Sequence, residues 1–375
     1  MYVNMRVSNI LYFLLLFLAI GYITAFDVEA KDRNRKPLVW DINSLMQIKT
    51  AAIHPKQFEE IVAKANDICR GELAVITSKT VTFAPDYHYY CSIGPYWWPD
   101  PLHPGNYINK DGQVNPESKN YDNVRLGELV NNCSYLSRAF FITNDIRYYN
   151  VFIRQLKAWF IEKETYMYPN FEYSQVVPGQ NNNRGRSTGL ITAYDFNSVI
   201  ESIRLVNGVK RIDKKTMKAL QKWFLDFAQW ADNGSFGKTL HRIDNNISLA
   251  FDVMLVNMYL FAGKERRAKE IVDSFANKRI NKQIKPDGSQ PEELLRTNAF
   301  SYSLYNLTHI VDFCYLARYW YPDYYIRNRE RIDAAMCFLG QYIENHDSFP
   351  YQQISGWKTN EENYNSLLSR INNLK

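Results

Sequence analysis

From about residue 120 onward the chain alternates apolar clusters with short polar connections, and the apolar positions recur at three- and four-residue spacing. That period gathers apolar side chains on one face of a helix. It predicts helices over residues 126–141, 149–161, 217–230, 247–261, 268–275, 302–319 and 332–343. Asp213 precedes Lys214-Lys215-Thr216 as an N-cap, and Gly263 falls just past a C-terminus. No stretch holds a two-residue alternation long enough for a major sheet. Successive helices of similar length without a strict repeat predict an all-α fold. The expected architecture is an α/α toroid, an incomplete barrel of helical hairpins that each bury a face on their neighbours. Residues 86–116 break the pattern: rich in Pro, Gly, Tyr and Trp, they read as a long ordered surface loop, the kind that often carries function.

The N-terminus reads as an export signal. Arg6 precedes an apolar run over residues 10–20, too short for a comfortable membrane span, and small residues follow at Thr24 and Ala25. Cleavage is expected after Ala25, with Ala30 as a second choice and an uncleaved anchor as the alternative. The expectation is a signal peptide over residues 1–25, a single domain over residues 26–375, and a periplasmic or secreted protein with no membrane association once the signal is removed.

Composition refines this modestly. The chain is 46% hydrophobic and 22% charged, ordinary for a folded protein, whereas 27 Tyr, 21 Phe and 8 Trp bring the aromatic share to 15%. Aromatic faces suit sugar rings, but a large helical core uses them as filler too. A net charge of +6 without any dense Lys/Arg tract favours a polyanionic partner over nucleic acid. Five scattered cysteines, none in CxxC spacing, exclude a disulfide framework, and no His/Cys/Asp cluster has metal-ligand spacing. No metal or cofactor is expected.

Three stretches carry candidate chemistry. In Tyr89-Tyr90-Cys91-Ser92-Ile93-Gly94-Pro95-Tyr96-Trp97-Trp98-Pro99-Asp100-Pro101, the prolines stiffen a backbone that presents Tyr96, Trp97 and Trp98. These rings suit a carbohydrate groove or the sealing of one end of the core. Pro178-Gly179-Gln180-Asn181-Asn182-Asn183-Arg184-Gly185-Arg186 supplies donors, and the forks of Arg184 and Arg186 match a carboxylate, with Gln180 and Asn183 as further contacts. A solvated loop is the plainer reading. The third stretch joins Asp244-Asn245-Asn246 to Asp287-Gly288-Ser289-Gln290-Pro291-Glu292-Glu293-Leu294-Leu295-Arg296 and Ser301-Tyr302-Ser303-Leu304-Tyr305. Here an Asn pair can cap a helix, Arg296 can pair structurally, and Tyr302 can be core.

Together these motifs, in this order from about Trp40 to about Trp320, resemble the alginate-lyase superfamily, exported bacterial polysaccharide lyases with an α/α-toroid fold. The resemblance implies β-elimination on an anionic uronate polymer, mannuronate-type alginate being the expected substrate. It implies that Asn246 and Arg296 neutralise the sugar carboxylate while Tyr302 transfers protons. The C5 proton of a uronate is barely acidic beside an ionised carboxylate, so donors against that carboxylate stabilise the enolate-like transition state. Where C5–H and C4–O share a face, as in mannuronate, one Tyr can take a proton and return it.

The chain departs from the family at Ile247, where members commonly carry His. Ile neither accepts a proton nor donates a hydrogen bond. Three readings stay open: Tyr302 acts alone, His241 or Tyr305 stands in, or catalysis is lost. A hydrolase using Asp287, Glu292 and Glu293, and a non-catalytic polysaccharide binder, are the competing classes.

Overall fold

The computed structural model describes residues 34–53 and 55–375; the expected signal peptide lies outside them. The longer helices are α1 (Ile42–Thr50), α2 (Lys56–Arg70), α3 (Asp122–Thr143), α4 (Ile146–Phe160), α5 (Phe196–Val209) and α6 (Lys214–Asn233). After the short α7 (Ser235–Leu240) come α8 (Asn246–Phe261), α9 (Glu265–Phe275), the single turn α10 (Pro291–Leu294), α11 (Ala299–Ala317), α12 (Tyr324–Gly340) and α13 (Trp357–Asn372). They pack as an α/α toroid that does not close into a barrel. One continuous apolar cluster runs through it from Ile61 to Leu374.

Helix α8 is central. It buries every residue from Ser248 to Phe261 and packs on α5, α6, α9 and α11, which is why apolar residues fall on every side of it. Helices nearer the surface keep a single stripe. In α9 only Ala268, Ile271, Val272 and Phe275 are buried. The Asp213 side chain accepts from the Thr216 N–H at 2.9 Å, as expected of the N-cap, and Gly263 turns the chain after α8 with φ 74°.

Four of the longer helices escaped the periodicity: α1, α2, α5 and α13. Helix α5 shows the reason, since it buries polar residues as well as apolar ones. Its Glu201 accepts from the Val39 and Trp40 N–H groups at 2.7 and 3.1 Å and from Arg204, which also reaches Asn257. Val39, Trp40 and Asn257 lie far away in sequence, so no local pattern announces them.

Residues 86–116 are not wholly loop. Strand β1 (Cys91–Ile93) pairs in parallel with β4 (Tyr173–Val176), and β2 (Trp97–Pro99) pairs antiparallel with β3 (Tyr107–Asn109). The hairpin is tied at its base by the Asn115 amide to Trp97 O and by Trp98 Nε1 to Gln113 O, both 2.9 Å. The five cysteines are free thiols. Among the described residues no helix is long and apolar enough to cross a membrane.

Candidate active site

A cavity of about 500 Å³ opens where the β2–β3 hairpin meets the segment after β4 and the N-terminal ends of α8 and α11. Tyr96, Trp97, Arg186, Asn246, Ile247, Arg296, Tyr302 and Tyr305 all line it, so residues from all three sequence stretches converge.

Its centre is Tyr302. The Tyr302 hydroxyl lies 2.7 Å from that of Tyr96, and the Arg296 guanidinium carbon stacks 3.7 Å from the centre of the Tyr302 ring. Arg296 is itself clamped by Asp111, through Nε to Oδ2 at 3.1 Å and Nη2 to Oδ1. Asp111 also accepts the Thr297 N–H at 3.0 Å. Burial works to raise the Asp111 carboxyl, but the Arg296 and Thr297 bonds outweigh it and hold it below the usual carboxylate range.

Arg296 lies close enough for its charge to favour a Tyr302 phenolate, yet the phenol is pushed upward. Burial dominates, the Tyr96 hydrogen bond adds to it, and the opposing Arg296 charge is weaker. Asp111 explains part of this, because it offsets the guanidinium charge.

Arg184 and Arg186 go separate ways around Gly185. A Cβ at Gly185 would stand 2.4 Å from Ser174 O, so only glycine lets the chain pass β4 so closely. Beyond it Arg186 turns inward, its guanidinium 5.3 Å from the Trp97 ring, with Nε on Gln175 O at 3.1 Å and Nη2 on Gln175 Oε1 at 3.4 Å. Among the described residues no carboxylate pairs with Arg186, and burial lowers its pKa. Arg184 turns outward to Glu172, 2.7 Å away. Gln175 had no signal in the sequence. Its φ of 54°, uncommon for a residue with a side chain, accompanies a carbonyl bonded to Arg186.

The adjacent asparagines also divide their work. Asn245 caps α8, accepting the Ile247 N–H at 3.1 Å within a capping box closed by Ser248. Asn246 instead gives its backbone N–H to Glu293 Oε1 at 2.7 Å and its side-chain NH₂ to Glu293 Oε2 at 2.6 Å. Its own Oδ1 is buried without a partner. Burial raises the Glu293 carboxyl to about 7 against the opposing Asn246 bonds.

Several expected residues stand elsewhere. Trp98 faces away from Trp97, as alternation along a strand requires, and lies under Lys110. Gln180 is exposed, and Asn183 spends its Oδ1 on the Gly179 N–H, in a turn where three successive asparagines have positive φ. His241 is no stand-in on the cavity wall: Asp232 binds its Nε2 at 2.9 Å, and Lys278 faces its Nδ1. Tyr305 does line the cavity, one turn beyond Tyr302, with its ring 4.2 Å from that of His309. Of the carboxylates considered for hydrolysis, Asp287 and Glu292 are exposed away from the cavity, and Glu293 sits behind Asn246. Asp195, unnoticed in the sequence, does reach the cavity, and desolvation by the surrounding protein raises its carboxyl to about 6. Among the described residues no group of His, Cys, Asp and Glu is arranged to hold a metal.

Comparison with known proteins gives consistent matches. The family model described as alginate lyase matches residues 75–349. An alginate lyase from Bacteroides ovatus shares 32% identity and superposes with a TM-score of 0.84, over 89% of this chain and 90% of that one. A variant of alginate lyase A1-III complexed with a tetrasaccharide shares 14% identity at a TM-score of 0.52, over 85% and 80% of the two chains, a likeness of fold. No curated protein matches the chain.

Proposed function

The chain belongs to the alginate lyase family and is a polysaccharide lyase, and on that premise we propose that it cleaves mannuronate linkages of alginate by syn β-elimination, with Tyr302 as the sole proton-transfer residue. The observation that carries this reading is the Tyr96–Tyr302–Arg296 stack facing a cavity in which position 247 is Ile. That arrangement sets Tyr302 against Arg296 as the proton-transfer group and leaves position 247 with none.

In this reading Arg186 takes the C6 carboxylate. It is the cavity cation without a carboxylate partner among the described residues, and its fork matches two oxygens. Asn246 adds a donor from the α8 N-terminus. Trp97, beneath Arg186, offers a ring face to the sugar. Arg296 has a different part from the one its motif implies: held by Asp111, it fixes the Tyr302 ring and keeps positive charge on its face.

The step balances on one residue. The Tyr302 phenolate, accepting from the Tyr96 hydroxyl, removes the C5 proton, and the carboxylate carries the resulting charge as an enolate. The C4–O bond then breaks, a C4–C5 double bond forms, and the Tyr302 hydroxyl returns its proton to the leaving oxygen. Donors on the carboxylate matter most as that charge develops, and losing one costs about 10²–10³ in rate. Residues 1–25 support a periplasmic or secreted location, where such a polymer is met.

Incubation with polymannuronate, polyguluronate, glucuronan and chondroitin, read by the ultraviolet absorbance of the unsaturated uronate, tests the substrate. Absorbance with polymannuronate is expected. New reducing ends without absorbance would mean hydrolysis and overturn the reading.

A further inference from the structure

We propose that Glu293 is a protonation-dependent positioning residue that sets which end of the Asn246 amide faces the sugar carboxylate. The inference rests on the reading of Asn246 as a carboxylate donor.

With Glu293 ionised, both of its oxygens accept from Asn246: Oε1 from the backbone N–H at 2.7 Å, and Oε2 from the side-chain NH₂ at 2.6 Å. One of the two side-chain N–H donors is thereby held on Glu293. Oδ1 is left an acceptor with no hydrogen-bond partner, on a residue that lines the cavity and is 1% exposed. A carbonyl oxygen repels a carboxylate, so this arrangement is the wrong one for binding a uronate.

One proton reverses it. A neutral Glu293 donates O–H to Asn246 Oδ1 and still accepts the Asn246 backbone N–H on its other oxygen. The amide turns by half a rotation, its NH₂ is freed toward the cavity, and the orphaned acceptor gains a donor. Every polar atom of the pair is then used, and the substrate carboxylate receives an N–H in place of an oxygen.

The surroundings favour this exchange. Glu293 is 1% exposed, and burial is the largest influence on its carboxyl, raising it to about 7. The charged groups acting on it are Arg296, which favours the ionised form, and Glu292, which opposes it; from α8 it meets the Asn246 dipoles. Arg296 is already committed to Asp111. A bound uronate adds negative charge beside Asn246 and favours the proton further. Substrate binding is therefore linked to proton uptake near neutrality.

The test is the KM for polymannuronate between pH 7 and 9, above the range in which Asp195 titrates, for the wild type, Glu293→Gln, Glu293→Ala and Asn246→Ala. Gln imitates the neutral acid: its NH₂ donates to Oδ1 and its oxygen accepts the backbone N–H. Expected are a wild-type KM that climbs up to tenfold per pH unit, a low and pH-independent KM in Glu293→Gln, and a high, pH-independent KM in Glu293→Ala. A wild-type slope retained in Glu293→Gln overturns the inference, as does a flat wild-type profile or a Gln variant as impaired as the Ala variant. Should Asn246→Ala leave kcat/KM unchanged, the donor reading itself falls. Should it cost about 10²-fold while Glu293→Gln keeps the wild-type slope, only the Glu293 inference falls. If Glu293→Ala does not fold, the Gln variant alone decides.

Discussion

Arg184 and Arg186, two positions apart, show how much of a site depends on the backbone between its residues. Gly185 sends one guanidinium to Glu172 and the other to the Trp97 ring. Truncating Arg186 to Ala should lower kcat/KM on a uronate polymer by about 10²-fold, whereas Arg184→Ala should stay within a few-fold. Steady-state kinetics on the two variants separate them, and equal losses would contradict the assignment. Glu293 supplies a second prediction at this scale. Its folded carboxyl lies at about 7, above the ordinary 4.5, so the folded state binds more protons than the unfolded state between those values. Stability accordingly falls as pH rises through that window, by roughly 3 kcal/mol at most, and levels off above it. In Glu293→Gln the loss of melting temperature between pH 5 and 8 should shrink. Residue types at the site were legible in the sequence, and their partners were not. The motifs contain Asn246, Arg296 and Tyr302, but nothing local says that Glu293 holds Asn246, that Asp111 holds Arg296, or that Gln175 and Asp195 reach the same cavity.

The β2–β3 hairpin is the element on which the site depends most, because Tyr96 enters it and Asp111 leaves it. Gly112 follows Asp111 at φ 74°, and a Cβ there would lie 2.5 Å from Thr297 Oγ1 and 2.9 Å from Asn298 Nδ2. Gly112→Val should strain this turn by about 1–3 kcal/mol and lift Asp111 off Arg296, lowering kcat about tenfold while the helical circular dichroism persists. An unchanged kcat would show that the clamp is dispensable. Helices with one apolar stripe, such as α6 and α9, were readable from spacing alone. Helix α5 was not, because its buried Glu201 and Arg204 look like surface residues until the Val39 and Trp40 backbone closes over them. The hairpin escaped for another reason: three-residue strands are too short to show alternation.

Across the whole molecule, the toroid carries the three motifs from distant parts of the chain to one cavity, which is why each motif alone suggested an ordinary structural role. The net charge of +6 should draw a polyanionic chain from solution. Raising ionic strength from about 0.05 to 0.5 M is therefore expected to raise KM for the polymer with little change in kcat. A salt-independent KM would show that the protein's net charge has no part in capture. The phenol of Tyr302, held upward by burial, must lose its proton before it can act, so kcat should rise with pH on the alkaline side. The central claim is that this one tyrosine both takes and returns the proton. Unsaturated-uronate absorbance from polymannuronate and polyguluronate, followed for the wild type and Tyr302→Phe, tests it most directly. The account predicts turnover of polymannuronate alone and a fall in kcat of at least 10²-fold in the Phe variant, with KM nearly unchanged; full activity in that variant, or preferential cleavage of polyguluronate, would contradict it.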